Sequence, residues 1–133
     1  MWFYDDQVLT IDKIPEGAKA FVYLITNLKT GRKYIGKKTL YFLRSKKLKN
    51  KRRKRIISES DWKDYYGSNK ELLEDIEVLG PESFHREIIR FCFSKGEVNY
   101  WEAKYQFQHD VLLSDDWYNG WISCRISGKH VKK

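Results

Sequence analysis

Apolar and polar positions follow different periods in different parts of the chain. Residues 20 to 26 (AFVYLIT) and 33 to 37 (KYIGK) are short runs rich in β-branched and aromatic side chains, separated by NLKTGR. Asn27 and Gly31 tolerate the positive φ that a tight connection requires, so the pair predicts a β-hairpin. From Ser68 the period lengthens. Leu72, Leu73, Ile76 and Leu79 recur at helical spacing, Ser68 and Glu71 stand in a capping-box relation, and Gly80-Pro81 ends the pattern. Residues 84 to 93 (FHREIIRFCF) predict a strand, and Ser94 with Glu97 opens a second helix reaching about His109. On that helix Val98, Trp101 and Tyr105 form one stripe, while Tyr100, Ala103 and Phe107 cover most of the remainder, which predicts a central, buried helix. Residues 38 to 63 hold no period. TLYF reads as a helix start and RSKKLKNKRRKRIISESDW as a mobile basic loop, because dense like charge leaves little to pack.

The order hairpin, helix, helix, strand, helix predicts an α+β fold: a small three-stranded, mainly antiparallel sheet flanked by helices. At 133 residues the chain suits one domain spanning 1–133, with a basic insertion at about 44–60 and no internal repeat or linker. An aromatic content of 16% supplies enough large apolar side chains to exclude intrinsic disorder. Charge changes the picture more. Residues 37 to 55 hold eleven Lys or Arg and no acid, so a net +8 resolves into a cationic segment and a body of net −3. No run approaches the roughly 18 apolar residues of a membrane span, and MWFYDDQV lacks the features of a signal peptide. A cytoplasmic protein without a membrane partner is expected, with Cys92 and Cys124 reduced and structural.

The first candidates for chemistry are Tyr23 and Tyr34. If hairpin partners sum to about 59, Ile25 faces Tyr34 and Tyr23 faces Gly36, which sets both phenols on one sheet face. A one-residue slip would separate them. Gly36 would then admit the close approach of a phosphodiester, or else mark a bulge or a twist adjustment. Glu102 stands between Trp101 and Ala103 on the apolar helix, where an ionised carboxylate needs a cation or a structural salt bridge. Gln106 and His109 share its helix face, as the border of a site or as a solvated edge. His85 and His130 show no partner pattern and read as surface residues. Nine of the twelve residues from Arg44 to Arg55 are basic, a density suited to phosphate neutralisation, to a localisation signal or to a solvated loop. Lys37, Lys38, Lys46, Lys47, Lys49, Lys51, Arg52, Arg53, Lys54 and Arg55 are accordingly the candidate DNA-binding residues, expected to touch backbone rather than bases.

Val22-Tyr23-Leu24 followed by Tyr34-Ile35-Gly36 resembles the paired motif of the GIY-YIG nucleases, with VYL in place of GIY. Arg44, Glu102 and Asn119 match the arginine, glutamate and asparagine that the family carries downstream. DWKDYYGSNKELLEDI, GPESFHREIIRFC, SKGEVNYWEAKYQFQ and YNGWI look most like the stand-alone phage homing endonucleases of that family. The resemblance implies a GIY-YIG nuclease-like fold and hydrolysis of phosphodiesters in double-stranded DNA with Mg²⁺ or Mn²⁺. It assigns the metal to Glu102 and the phosphate to Arg44, a task that Arg52, Arg53 or Arg55 could also fill. Tyr23 becomes the general base, Tyr34 positions water or phosphate, and Asn119 ties the site together through its amide. Tyr23 would need a shift toward phenolate, which Lys37 or Lys38 could supply. The family usually gains specificity from an appended module; none is expected here, so the nuclease domain with its basic loop, or a partner, would read the DNA, or cutting would have little specificity. Cutting both strands with one site would require a homodimer on DNA or two successive events. A catalytically inactive, nucleic-acid-binding relative is the alternative.

Overall fold

The computed structural model describes residues 1–47 and 53–128, with side chains placed outside 43–57. The elements in chain order are β1 (Trp2–Tyr4), β2 (Gln7–Val8), β3 (Ala20–Asn27), β4 (Lys33–Thr39), β5 (Tyr41–Lys47), β6 (Arg53–Glu59), α1 (Lys70–Leu79), β7 (Phe84–Cys92) and α2 (Lys95–Gln108). The expected hairpin is present in the expected register, with Tyr23 opposite Gly36 and Ile25 opposite Tyr34. Alternation along β3 explains why that register holds. Phe21, Tyr23 and Ile25 enter one core cluster and Ala20 and Val22 enter the other, so a slip would exchange the two sets.

The sheet differs from the expectation. It has five strands in the order β2-β1-β7-β3-β4 and is mixed, because β1 runs parallel to β7 while β3 is antiparallel to both its neighbours. Three residues are too short a run to read as a strand from periodicity. What secures β1 is Trp2, 4% exposed, whose Nε1 donates to the Trp62 carbonyl at 2.8 Å while the Arg86 guanidinium lies 4.5 Å from its ring centroid.

The basic segment also differs. In place of a helix start and a loop, β5 and β6 form a separate antiparallel ribbon from Tyr41 opposite Glu59 to Lys47 opposite Arg53. Tyr41, Phe42, Leu43, Ile56 and Ile57 favour extended backbone, and a two-stranded ladder satisfies its peptide groups within the ribbon, so charge density alone did not dictate a loop. Lys49, Lys51 and Arg52 lie outside the described residues, as does His130.

Helices cover both faces of the sheet. Leu72 of α1 joins Phe21, Tyr23, Ile25 and Trp62 on one face, and Val98 of α2 joins Ala20, Val22, Ile35 and Cys92 on the other. The second helix is not buried all round. Val98, Ala103 and Gln106 face inward, whereas Phe107 is exposed, so α2 is a surface layer rather than a central rod. Ser94 caps it as expected by accepting from Glu97 N, but α1 is capped by Asn69, whose side chain accepts from Leu72 N, and not by Ser68. Cys92 is buried and Cys124 exposed, both as free thiols, and burial pushes the Cys92 thiol up to about 12. Half-buried His85 packs on Phe3 at 4.5 Å, and exposed His109 lies 5.7 Å from Trp117. Among the described residues no helix is long and apolar enough to cross a membrane.

β4 is an edge strand, and the chain returns to cover it. Lys33 N donates to Asp116 O at 2.9 Å and Tyr118 N to Lys33 O at 2.7 Å, which carries Asn119 alongside Ile35. Edge strands left bare invite unwanted pairing. Here the covering segment also brings a distant part of the chain to the two tyrosines.

Candidate active site

The register places both phenols on one face, with ring centroids 6.1 Å apart. Tyr23 lies across Gly36. A methyl group on that glycine would overlap the Tyr23 hydroxyl, reach Tyr23 Cζ at 2.6 Å and Tyr34 Cε2 at 2.9 Å. The space beside Gly36 is thus taken by the tyrosines themselves rather than reserved for a ligand, and the bulge in this region falls instead between Val22 and Tyr23, against β7. Gly67 closes the same site from above with φ +91°, and a Cβ there would stand 3.2 Å from the Tyr23 hydroxyl. Tyr65 completes an edge-on contact with Tyr23 at 6.0 Å.

Burial governs the electrostatics. Tyr23 is 1% exposed, and desolvation first, then the neighbouring Tyr34, Tyr65 and Glu102, hold its phenol well above the usual value. Tyr34 is raised too, chiefly by desolvation, but a hydrogen bond from Ser68 acts in the opposite direction. The expected help from Lys37 and Lys38 is not delivered. Lys37 Nζ hydrogen-bonds Asn99 Oδ1, while Lys38 Nζ is paired with Asp61 at 2.6 Å and lies 4.2 Å from the Tyr65 ring centroid. Tyr23 is a protonated, packed phenol in this arrangement.

Glu102 reaches the same place from α2. Burial raises its carboxyl, Lys37 opposes the rise, and the carboxylate forms no hydrogen bond or ion pair with the described residues. One turn along, Gln106 is 4% exposed; its Nε2 donates to Ile35 O at 3.0 Å, and its Oε1 has no partner among the described residues. Asn119 donates to Ile35 O at 2.9 Å and accepts from Ile35 N at 3.1 Å, using both ends of its amide on one residue of β4. Together these residues line a cleft of about 440 Å³ whose walls also include Tyr65, Ser68, Asn69 and Trp121. Tyr23, Tyr34, Glu102 and Asn119 therefore converge, and Lys37 joins them. Arg44 lies in β5 opposite Ile56, and its side chain is outside the description, as are those of Lys46, Lys47, Arg53, Lys54 and Arg55.

Four cleft residues escape a reading of the sequence. Ser68 looks like a helix cap but bonds Tyr34, and Asn69 both caps α1 and donates Nδ2 to Tyr118 O at 2.9 Å. Tyr65 and Trp121 belong to irregular segments where no period marks a face. The Gly67-Ser68-Asn69 run, dense in turn formers beside two tyrosines, is the one signal that could have pointed to them.

Among the described residues no three His, Cys, Asp or Glu side chains gather as a metal cage. A hard divalent ion nevertheless needs only one or two carboxylates, with water and substrate oxygens completing its shell. Glu102 fits that requirement: a desolvated carboxylate offset only by Lys37 among the described residues, lining the same cleft as Gln106, whose amide oxygen has no described partner.

The family model of the SegE GIY-YIG domain matches residues 2–122, from β1 to three residues beyond Asn119. The chain belongs to the GIY-YIG nuclease family. No curated protein and no solved structure is similar enough to match it. Within this GIY-YIG chain the matched span takes in Tyr23, Tyr34, Lys37, Glu102 and Asn119 and the whole β5–β6 ribbon, and leaves out only Ser123 of the described cleft lining.

Proposed function

We propose that the protein is a divalent-metal-dependent DNA endonuclease of phage homing or stand-alone type, working as one domain. The observation that carries this reading is Glu102, a desolvated carboxylate with no ion pair among the described residues and only Lys37 to offset it, facing two phenols in a cleft of a GIY-YIG nuclease fold. A pure binding protein has no use for a desolvated acid that destabilises it. When bound, the ion polarises a phosphoryl oxygen and stabilises charge on the leaving oxygen. Glu102 would hold it, with Mg²⁺ or Mn²⁺ the matching hard ions.

The remaining work falls to the chain's own residues. Tyr34 is half-buried and accepts from Ser68, so it is better suited than Tyr23 to take or relay the proton of the attacking water. Tyr23 keeps its proton and fixes the position of Tyr34. Asn119 anchors the C-terminal wall of the cleft to Ile35. Arg44 is the candidate for the scissile phosphate, since a guanidinium can donate two parallel hydrogen bonds.

The ribbon is the candidate DNA clamp. Its backbone register sets Lys46 opposite Lys54 and Lys47 opposite Arg53, which gathers basic residues along both strands for a polyanion.

Supercoiled plasmid incubated with Mg²⁺, with EDTA and with the Glu102→Ala variant tests the reading. We expect metal-dependent nicking or linearisation that the variant loses by at least about a hundredfold, with its fold and DNA binding retained. Cleavage by the variant at the wild-type rate would remove Glu102 from the chemistry. DNA retardation without cleavage by the wild-type protein, across a panel of phage genomes and metals, would favour the inactive relative.

A further inference from the structure

A second and larger concavity, of about 820 Å³, adjoins the catalytic cleft and shares Lys37 with it. Its floor is apolar. Ala18, Ala20 and Val98 are buried there, and Tyr41, 48% exposed, stands at the wall with Phe42. Lysines occupy the rim: Lys19, Lys37 and Lys95 are exposed and form no ion pair with the described residues, whereas Lys38 is neutralised by Asp61. Among the described residues no Asp or Glu lines the groove.

This combination selects among ligands. A duplex backbone held by its phosphates needs the lysines but gains nothing from an apolar floor, which disfavours charged oxygens. A base out of its stack needs both, because its face is buried on apolar and aromatic surface while the phosphates on either side meet the rim. The volume lies in the range of roughly 300–1,000 Å³ that encloses small organic ligands. The ribbon begins at Tyr41, so cationic residues continue from the groove along β5.

Resting on the nuclease reading above, we propose that this groove is a binding subsite for an unpaired nucleotide of the DNA strand whose scissile phosphate lies in the neighbouring cleft. Lys19, Lys37 and Lys95 would neutralise its phosphates, and Tyr41 would stack on its base. The protein would then prefer DNA that is frayed or single-stranded beside the cut over an unbroken duplex.

The test measures binding in EDTA, where cleavage does not enter. Fluorescence anisotropy compares a blunt duplex with the same duplex bearing a four-nucleotide single-stranded tail, for the wild-type protein, Tyr41→Ala, Tyr41→Phe and the double variant Lys19→Gln/Lys95→Gln. Circular dichroism checks that each variant is folded. The wild-type protein should bind the tailed duplex about tenfold more tightly, in line with stacking of a base on an aromatic ring. Tyr41→Ala should erase that preference by weakening binding to the tailed duplex far more than to the blunt one, and Tyr41→Phe should retain it. The lysine double variant should lower the slope of log affinity against log salt by about 1.4 on the tailed DNA. Equal affinity of the wild-type protein for the two DNAs would overturn the proposal, as would a preference that survives Tyr41→Ala. If plasmid is still cut with Mg²⁺ in that case, only the groove assignment fails; if no DNA is bound or cut in any form, the nuclease reading fails with it.

Discussion

At the scale of single residues, the two tyrosines show how much two side chains of the same type are divided by their surroundings. Tyr23 is packed between Tyr34, Tyr65 and the glycines at 36 and 67, and each of these neighbours keeps it protonated or in place. Tyr34 differs through the Ser68 hydrogen bond, the single influence favouring loss of its proton. If Tyr34 relays the proton of water, cleavage should rise with pH above neutrality as its raised phenol begins to ionise. Ser68→Ala removes a stabiliser of the ionised form, so the rising limb should move to higher pH and the rate at pH 8 should drop about fivefold, the equivalent of one hydrogen bond of roughly 1 kcal/mol. A limb that stays in place while the rate falls would leave Ser68 a packing residue. The hairpin of this pair was legible in the sequence from two β-prone runs around a turn-rich connection, while its register was a conditional expectation that the pairing of Tyr23 with Gly36 meets. The environment that decides their protonation was not legible, since Tyr65 and Ser68 sit in an irregular stretch and meet the tyrosines only through tertiary packing.

At the scale of elements, segments with strong local periods were placed correctly, although α2 proved a surface layer rather than a central buried helix, and those secured from a distance were not. β7, α2 and the hairpin follow from pattern and caps. β1 exists because Trp2 finds Trp62 and Arg86 sixty or more residues away, and the β5–β6 ribbon because two unremarkable basic segments pair with each other. The cap of α1 is the instructive near-miss. Ser68 and Asn69 are both good N-cap types, and tertiary demand decides between them, since Ser68 is required by Tyr34 and Asn69 by Tyr118. Asn69 therefore acts twice, so Asn69→Ala should cost about 2 kcal/mol in urea unfolding, one part from the cap and one from the lost bond to Tyr118 O, against about 1 kcal/mol for Ser94→Ala on α2. Asn69→Ala should also reduce cleavage more than Ser94→Ala, because Tyr118 leads directly into Asn119. Equal losses of stability in the two variants would reduce Asn69 to an ordinary cap.

At the scale of the whole molecule, the site is assembled where helix layers from opposite faces of the sheet meet at the β4 edge, and its placement costs stability. Glu102 is desolvated with only Lys37 to offset it, so its carboxyl is raised in the folded protein above its unfolded value. Between those two values the folded state binds the proton more tightly than the unfolded chain does. The resulting contribution weakens as pH rises through that window and stays absent above it. Above that window the wild-type protein carries the desolvation cost of a half-buried, ionised acid, and Glu102→Gln should raise the melting temperature there, by about 4 °C for each kcal/mol recovered in a chain of this size. Well below pH 4, where Glu102 is neutral in both states, the gain should disappear, and comparison of the two proteins cancels every other carboxylate they share. Mg²⁺ belongs to the same balance. An ion that binds the folded carboxylate should raise the wild-type melting temperature with concentration and leave that of Glu102→Gln unchanged. A variant less stable than wild type at pH 7, or stabilised equally by Mg²⁺, would mean that Glu102 is held by the fold for packing and not kept, at a cost, for a cation.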